Sequence, residues 1–363
     1  MMQQFQIKKT DQSVTRLVDL HEVEVTAGHG EIVVQIERFG FSANNVTYAV
    51  AGDTLNYWQF FPTVDDVNDE WGVLPVWGFA EVVQSNIDSV DVGERLFGYF
   101  PPAHKLKMKP AEIAEAHFFD SSAHRLELPK GYNLYRRVKA EPASNLDADN
   151  LRMLLYPLYV TAFCIWDQMV EFDWYNAEQI ITISASSKTS IGLGYALKHD
   201  GHAPKTVGLT SASNKPFVEG LELYDSVVSY LDISDQIKNI PSIIVDMAGN
   251  GELLGDLHTL LGENMHQTIS VGLTHWNTER RDSRVVKDRT AFFFAPSRIQ
   301  TRMKEWGADV FGEKSGQFAK DAAANSSKWL DLQNYNRLDQ LNQVYNVIRE
   351  GKAKPDMGIL FEL

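Results

Sequence analysis

The chain holds a single cysteine, Cys164, among 363 residues. No disulfide can form within it, and a Cys-rich zinc knuckle is excluded. Positive charge is also scarce: 34 Lys and Arg stand against 48 Asp and Glu, a formal charge of −14. A phosphate backbone is held by excess positive charge, so nucleic acid is not an expected partner, and the same sign disfavours an anionic membrane surface. No uncharged apolar run reaches about 18 residues, so no transmembrane helix is expected. The segment from Met1 to Arg16 lacks the apolar core of a secretory signal. The expected compartment is the cytoplasm. There is no HExxH frame, no Gly-x-Ser-x-Gly elbow and no internal repeat.

What remains is a globular composition, 44% hydrophobic and 23% charged, with a length that fits two domains. Residues 31–51 alternate like a strand, placing Ile32, Val34 and Ile36 on one face. Residues 80–84 and 95–100 read as further strands, separated by the turn Asp91-Val92-Gly93-Glu94. Short strands punctuated by Gly and Pro predict a β-rich first domain. Residues 56–69, aromatic and then acidic, read as a long loop. Glu141-Pro142-Ala143-Ser144-Asn145 reads as a linker, and residues 147–171 as helix interrupted at Pro157.

Strand and helix signals then alternate. Strands are expected at 179–184, 205–210, 226–230, 242–246 and 267–272, with helices at 191–199, 214–223 and 253–261. Continuous apolar strands in βαβ alternation are the pattern of a parallel, doubly wound sheet. Residues 291–340 read mostly as helix, and the chain closes on one strand.

This order of parts carries motifs. Gly40-Phe41-Ser42-Ala43-Asn44-Asn45, Val92-Gly93-Glu94-Arg95-Leu96-Phe97-Gly98, Leu126-Glu127-Leu128-Pro129, Pro157-Leu158-Tyr159-Val160-Thr161-Ala162-Phe163 and Leu221-Glu222-Leu223-Tyr224-Asp225 occur in succession. Together they resemble the medium-chain dehydrogenase/reductase superfamily, nearest its zinc-independent quinone oxidoreductase branch. The resemblance implies an α/β chain: a GroES-like β-barrel domain at 1–145, completed by 341–363, and a Rossmann dinucleotide-binding domain at 146–340. It also implies a homodimer acting on a small molecule. Zinc-dependent relatives carry Cys and His where Ser42 and Phe79 stand here, so no metal is expected.

In the family the first Rossmann strand runs into a glycine loop. Here the corresponding stretch is Ala185-Ser186-Ser187-Lys188-Thr189-Ser190-Ile191-Gly192. Lys188-Thr189 replaces the glycine pair that lets a backbone approach pyrophosphate. The hydroxyls of Ser186, Ser187, Thr189 and Ser190 can donate to phosphate, and Lys188 adds charge. A Ser/Thr-rich helix start is equally the mark of a helix cap. A P-loop is excluded, because Thr182 and Ser187 hold its glycine positions.

The second Rossmann strand is followed by Ser211-Ala212-Ser213-Asn214-Lys215, with none of the acid that commonly bonds a ribose 2′-hydroxyl. Ser211 and Asn214 offer polar contacts and Lys215 a cation for a 2′-phosphate, so NADP(H) is preferred over NAD(H). Lys215 is equally readable as a solvated lysine at a helix start. By resemblance Thr161, Tyr230, Gly249 and Gly272 join the cofactor set. Asp246 reads as a structural cap.

For catalysis, Asn45 and Tyr48 are the candidates, with Tyr48 able to protonate an enolate or simply to pack the barrel. Tyr57-Trp58-Gln59-Phe60-Phe61 could line an apolar pocket or form a hydrophobic cluster under a loop. Cys164 sits in an apolar helix pattern and reads as an inert thiol. The expected function is a zinc-free, NADP(H)-dependent oxidoreductase passing a hydride to a quinone, enone or carbonyl. The alternative is a non-catalytic nucleotide-binding or sensing protein on the same fold. Protein purified without added metal should contain no stoichiometric zinc; one tightly held zinc per chain by elemental analysis would contradict this reading.

Overall fold

The apolar runs of the second half pair side by side as one parallel sheet. In the computed structural model, which describes residues 2–138, 146–272 and 282–363, its strand order is Ser226–Ser229, Lys205–Thr210, Gln179–Ile183, Ser242–Asp246, Met265–Ser270, Thr290–Phe292. In chain order that is 3-2-1-4-5-6, the Rossmann arrangement, with every neighbour parallel. The first and fourth strands, Gln179–Ile183 and Ser242–Asp246, are buried along their whole length, as in a sheet covered on both faces. Ile181, Ile183, Leu209, Val228 and Ile244 are buried in one cluster with Leu253, Leu257 and Leu261 of the helix Gly251–Leu261. The sixth strand, Thr290–Phe292, falls where the sequence reads as helix; three residues are too few to show a period. The following helices are Ala295–Trp306 and Ala308–Ser326.

The chain divides into two units, Met1–Leu154 with Trp329–Leu363, and Leu155–Lys328. The first is built on a nine-stranded sheet and a smaller three-stranded one. Its longest pairing joins Ile32–Phe41 to Val76–Ser85. The last strand, Met357–Glu362, lies between Ile32–Phe41 and Asp331–Tyr335, antiparallel to one and parallel to the other. Residues 43–50, which alternate like a continuation of the strand, are instead the helix Ala43–Val50. Ser42 and Asn45 form its capping box, which ends the strand and starts the helix within one residue. The linker reading of residues 141–145 lies outside the described residues.

Pro157 does not interrupt its helix. Leu146–Glu171 is continuous, and the boundary between the units falls two residues before the proline. This helix is long and apolar enough, by length and composition alone, to cross a membrane, but 67% of its most apolar window is buried. Its Asp167 is buried and accepts from Arg298 and Arg302 at 2.8 and 2.7 Å. Gly192 lets the helix Lys188–His199 approach it: a Cβ there would lie 2.5 Å from the Tyr159 ring. Cys164 is buried in the same helix, and burial pushes its thiol up to about 12, as an inert thiol requires.

His258 fastens the fifth strand. Its Nε2 lies 2.9 Å from Thr268 Oγ1, and its Nδ1 accepts the amide of Val286 at 2.9 Å. Nδ1 can accept only while the ring is neutral, and burial pulls the pKa down to about 4. A histidine depressed in the folded state stabilises fully above its unfolded value near 6.5, and that contribution is lost as pH falls towards 4. The amount is up to about 3 kcal/mol. Urea unfolding of wild type and His258→Gln should therefore show the wild type losing stability faster between pH 7 and pH 5; parallel losses would show that His258 does not carry the effect.

Candidate functional site

The carboxyl ends of the parallel strands carry a connected set of polar groups. The first strand ends at Ile183, and Ser184 turns the chain with φ 62°, a left-handed conformation that suits glycine. Its amide donates to the hydroxyl of Tyr230 at 3.2 Å. Burial raises the Tyr230 pKa, so the phenol stays protonated. Ser187 is the N-cap of Lys188–His199, and its Oγ accepts the Ser190 amide at 3.2 Å and lies 2.8 Å from Ser190 Oγ.

Ser186 faces the second strand. Its Oγ accepts from Thr210 Oγ1 at 3.3 Å and from Asn214 Nδ2 at 3.2 Å. Ser211 Oγ in turn accepts the Asn214 amide at 3.3 Å and lies 3.0 Å from Ser213 Oγ. Lys215 begins a short helix, with Nζ 3.9 Å from Glu219 in a loose pair.

Asp246 joins the fourth and fifth strand ends. Its Oδ1 accepts the amides of Ala248 and Gly249 at 2.9 and 3.0 Å, and its carbonyl accepts those of Val271 and Gly272 at 2.8 and 3.1 Å. Gly272 passes so close that a Cβ would lie 2.4 Å from the Met247 carbonyl oxygen.

The sequence-derived residues thus separate into groups. Ser186, Ser187, Lys188, Thr189, Ser190, Ser211, Asn214, Lys215, Tyr230, Gly249 and Gly272 all lie at the carboxyl ends of this sheet or at the helix start beside it. Ile191 is fully buried and its amide already donates to Ser187 O at 2.9 Å. Thr161 spends its hydroxyl on Pro157 O at 2.9 Å within its own helix. Ser184 and Thr210 were missed, since neither the left-handed turn nor the cross-strand bond leaves a composition signal.

The first unit holds a separate group. Tyr48, Tyr57, Tyr99 and Tyr132 pack with Trp77, the Tyr48 and Tyr57 rings 4.6 Å apart and those of Tyr99 and Tyr132 4.8 Å apart. Asn44 Nδ2 donates to Tyr48 Oη at 2.7 Å, and the Tyr57 and Tyr132 hydroxyls are 3.2 Å apart. Burial raises the pKa of all four phenols. Tyr57, Phe60 and Phe61 of the aromatic run are buried and join this group as a hydrophobic cluster. Asn45 is committed at both ends of its amide: Oδ1 accepts the Ser42 amide at 2.8 Å, and Nδ2 donates to Pro75 O at 2.9 Å. Phe79 is buried under the Arg95 guanidinium, 4.2 Å away. Among the described residues, no cluster of three or more His, Cys, Asp or Glu could hold a metal.

The family model described as protein of unknown function (DUF2855) matches residues 39–354. The chain belongs to DUF2855. No curated protein matches its sequence. Solved structures do match this DUF2855 chain along its whole length. CurA from Vibrio vulnificus in complex with NADPH has a TM-score of 0.62 at 13% identity, covering 99% of this chain and 98% of that one. The Etr1p/NADP/crotonyl-CoA complex has a TM-score of 0.61 at 10% identity, covering 100% and 99%. A quinone oxidoreductase from Coxiella burnetii has a TM-score of 0.55 at 12% identity, covering 100% and 99%. The DUF2855 chain therefore shares its fold with these reductase structures, with little sequence in common.

The turn at Ser184 sets the geometry of the DUF2855 loop. A left-handed non-glycine residue costs roughly 1–2 kcal/mol, offset in a glycine by its greater unfolded freedom. Ser184→Gly should leave the melting temperature unchanged or raised, while Ser184→Val should cost at least about 1 kcal/mol. Equal melts for both variants would show the turn to be unstrained.

Proposed function

We propose that this chain binds NADP(H) at the carboxyl ends of the second unit's strands and works as an oxidoreductase on a small quinone, enone or carbonyl compound. The observation that carries the reading is the donor set there. It joins the Ser186 hydroxyl, the Tyr230 phenol, the Lys215 cation and the first-turn amide of Thr189, which has no intrahelical acceptor. That set suits phosphate oxygens, and no carboxylate follows the second strand to meet a ribose hydroxyl. The fold is shared with structures that hold NADPH or NADP, which supports the same choice.

When bound, the nicotinamide group supplies the hydride. The chain's own residues supply the rest. Lys215 offsets the charge of a 2′-phosphate, with Ser211 and Asn214 beside it. Asp246 holds the amides of Gly249 and Gly272, and Gly272 lets the two loops lie close together beside the strand ends. In the first unit Tyr48 holds a proton at Oη: burial raises its pKa, Asn44 donates to its oxygen, and Trp77, Tyr99 and Tyr132 also hydrogen-bond with the phenol, which is the proton donor this reading assigns to the reaction. Asn45 supports this by starting the helix that carries Tyr48.

A titration of NADPH fluorescence, followed by turnover on a panel of quinones and enones, tests the reading. Binding with turnover supports it; binding without turnover shifts it to nucleotide sensing; absence of binding ends it. Lys215→Ala should weaken NADPH roughly 10- to 100-fold and NADH much less, as a lost charge-assisted contact does. Equal losses would show that Lys215 does not meet a 2′-phosphate.

A further inference from the structure

The hydroxyl of Ser186 has its direction fixed by its neighbours. A hydroxyl oxygen offers one proton and two lone pairs. Both lone pairs are taken here, one by Thr210 Oγ1 at 3.3 Å and one by Asn214 Nδ2 at 3.2 Å. Thr210 is fully buried at the end of the second strand, so its side chain is held by the fold rather than by solvent. The Ser186 proton is therefore aimed away from both neighbours, and no acceptor among the described residues takes it. Serine hydroxyls normally rotate between donating and accepting; this one is a donor only.

A fixed donor selects its ligand by chemistry. It favours a group rich in lone pairs and poor in protons, and it leaves nothing to accept a ribose hydroxyl. Lys215, the next residue after Asn214, adds positive charge in the same loop, its own partner Glu219 being 3.9 Å away and half exposed. A phosphate monoester dianion meets both conditions.

We infer that Ser186 is the residue that reads the 2′-phosphate of NADP(H), with Thr210 and Asn214 as positioning residues that set its donor direction. This rests on the NADP(H) reading above and gives the discrimination to a residue of the first-strand loop rather than to Lys215 alone.

The test is calorimetric binding of 2′,5′-ADP and 5′-AMP to the full chain. Ser186→Ala should weaken 2′,5′-ADP about tenfold and change 5′-AMP less than about twofold. Thr210→Val should weaken 2′,5′-ADP severalfold, Thr210→Ser should restore it, and Val should add nothing in the Ser186→Ala background, because Thr210 acts through Ser186. A Ser186→Ala variant that loses both nucleotides equally, or neither, overturns the inference, as does a Thr210→Val effect that persists without the serine. If wild-type protein binds neither NADPH nor 2′,5′-ADP, the proposed function falls with it. If it binds both and Ser186→Ala is silent, only this inference falls.

Discussion

The amide of Ser184 donates to the hydroxyl of Tyr230, and that one bond passes over the end of the second strand to tie the first strand to the third. The loop that follows depends on it. A serine in a left-handed conformation needs something to hold it there, and the phenol does so. Once the turn is fixed, Ser186 points at Thr210 and Asn214, and Ser187 falls at the helix start where it can cap Ser190. In the glycine-loop version of this fold, backbone freedom lets the chain approach a phosphate directly. Here side chains occupy that place, and in the proposed function hydroxyls and an ammonium group take over the approach. The glycines that remain, Gly192 and Gly272, are kept for close contacts with a neighbouring helix and a neighbouring loop.

The first unit solves a different problem. Its centre is aromatic but carries many buried polar atoms, and the charged one among them is the most fully paired. Arg125, with no exposed surface, is paired with Asp120, donates to Asn133, Tyr135 and the Tyr132 carbonyl, and lies over the rings of Phe60 and Phe61. Tyr135 passes the contact on to the Tyr99 carbonyl. Burying a guanidinium is costly, and the hydrogen bonds that Arg125 makes to these groups offset that cost. The phenols above it keep their protons, which leaves the unit with neutral donors and no free carboxylate in that cluster.

Much of the second unit was legible in the sequence because its strands are buried on both faces. Lys205–Thr210 and Ser242–Asp246 appear at the bounds their apolar runs suggest. The same logic failed at 43–50, where Val46 and Tyr48 continue the alternation of the preceding strand; only the Ser42–Asn45 capping pair distinguishes the helix. Pro157 read as a break because proline removes an amide, yet neighbouring packing carries the helix through it. For the candidate site, position was legible and wiring was not. Residue type placed Ser186, Asn214 and Lys215 at strand ends, and the family resemblance placed Tyr230 there. No pattern in the sequence says that Asn45 spends its amide on Ser42 and Pro75, or that Thr161 bonds its own helix. Such bonds depend on distances that only the assembled backbone sets.

The last strand, Met357–Glu362, sits inside the nine-stranded sheet, with Ile32–Phe41 on one side and Asp331–Tyr335 on the other. Chains emerge from the ribosome amino end first, and domains tend to fold as they emerge. The second unit, Leu155–Lys328, is one uninterrupted stretch and can close as soon as it is out. The first unit cannot: Lys105–Met108 covers the Ile32–Gln35 part of that strand, but the Arg38–Phe41 part stays unpaired on that side until some three hundred further residues have been made, roughly 15–60 s at ordinary translation rates. For that interval the nascent chain carries an open strand edge, the kind of surface that chaperones cover and that crowded polysomes can mispair.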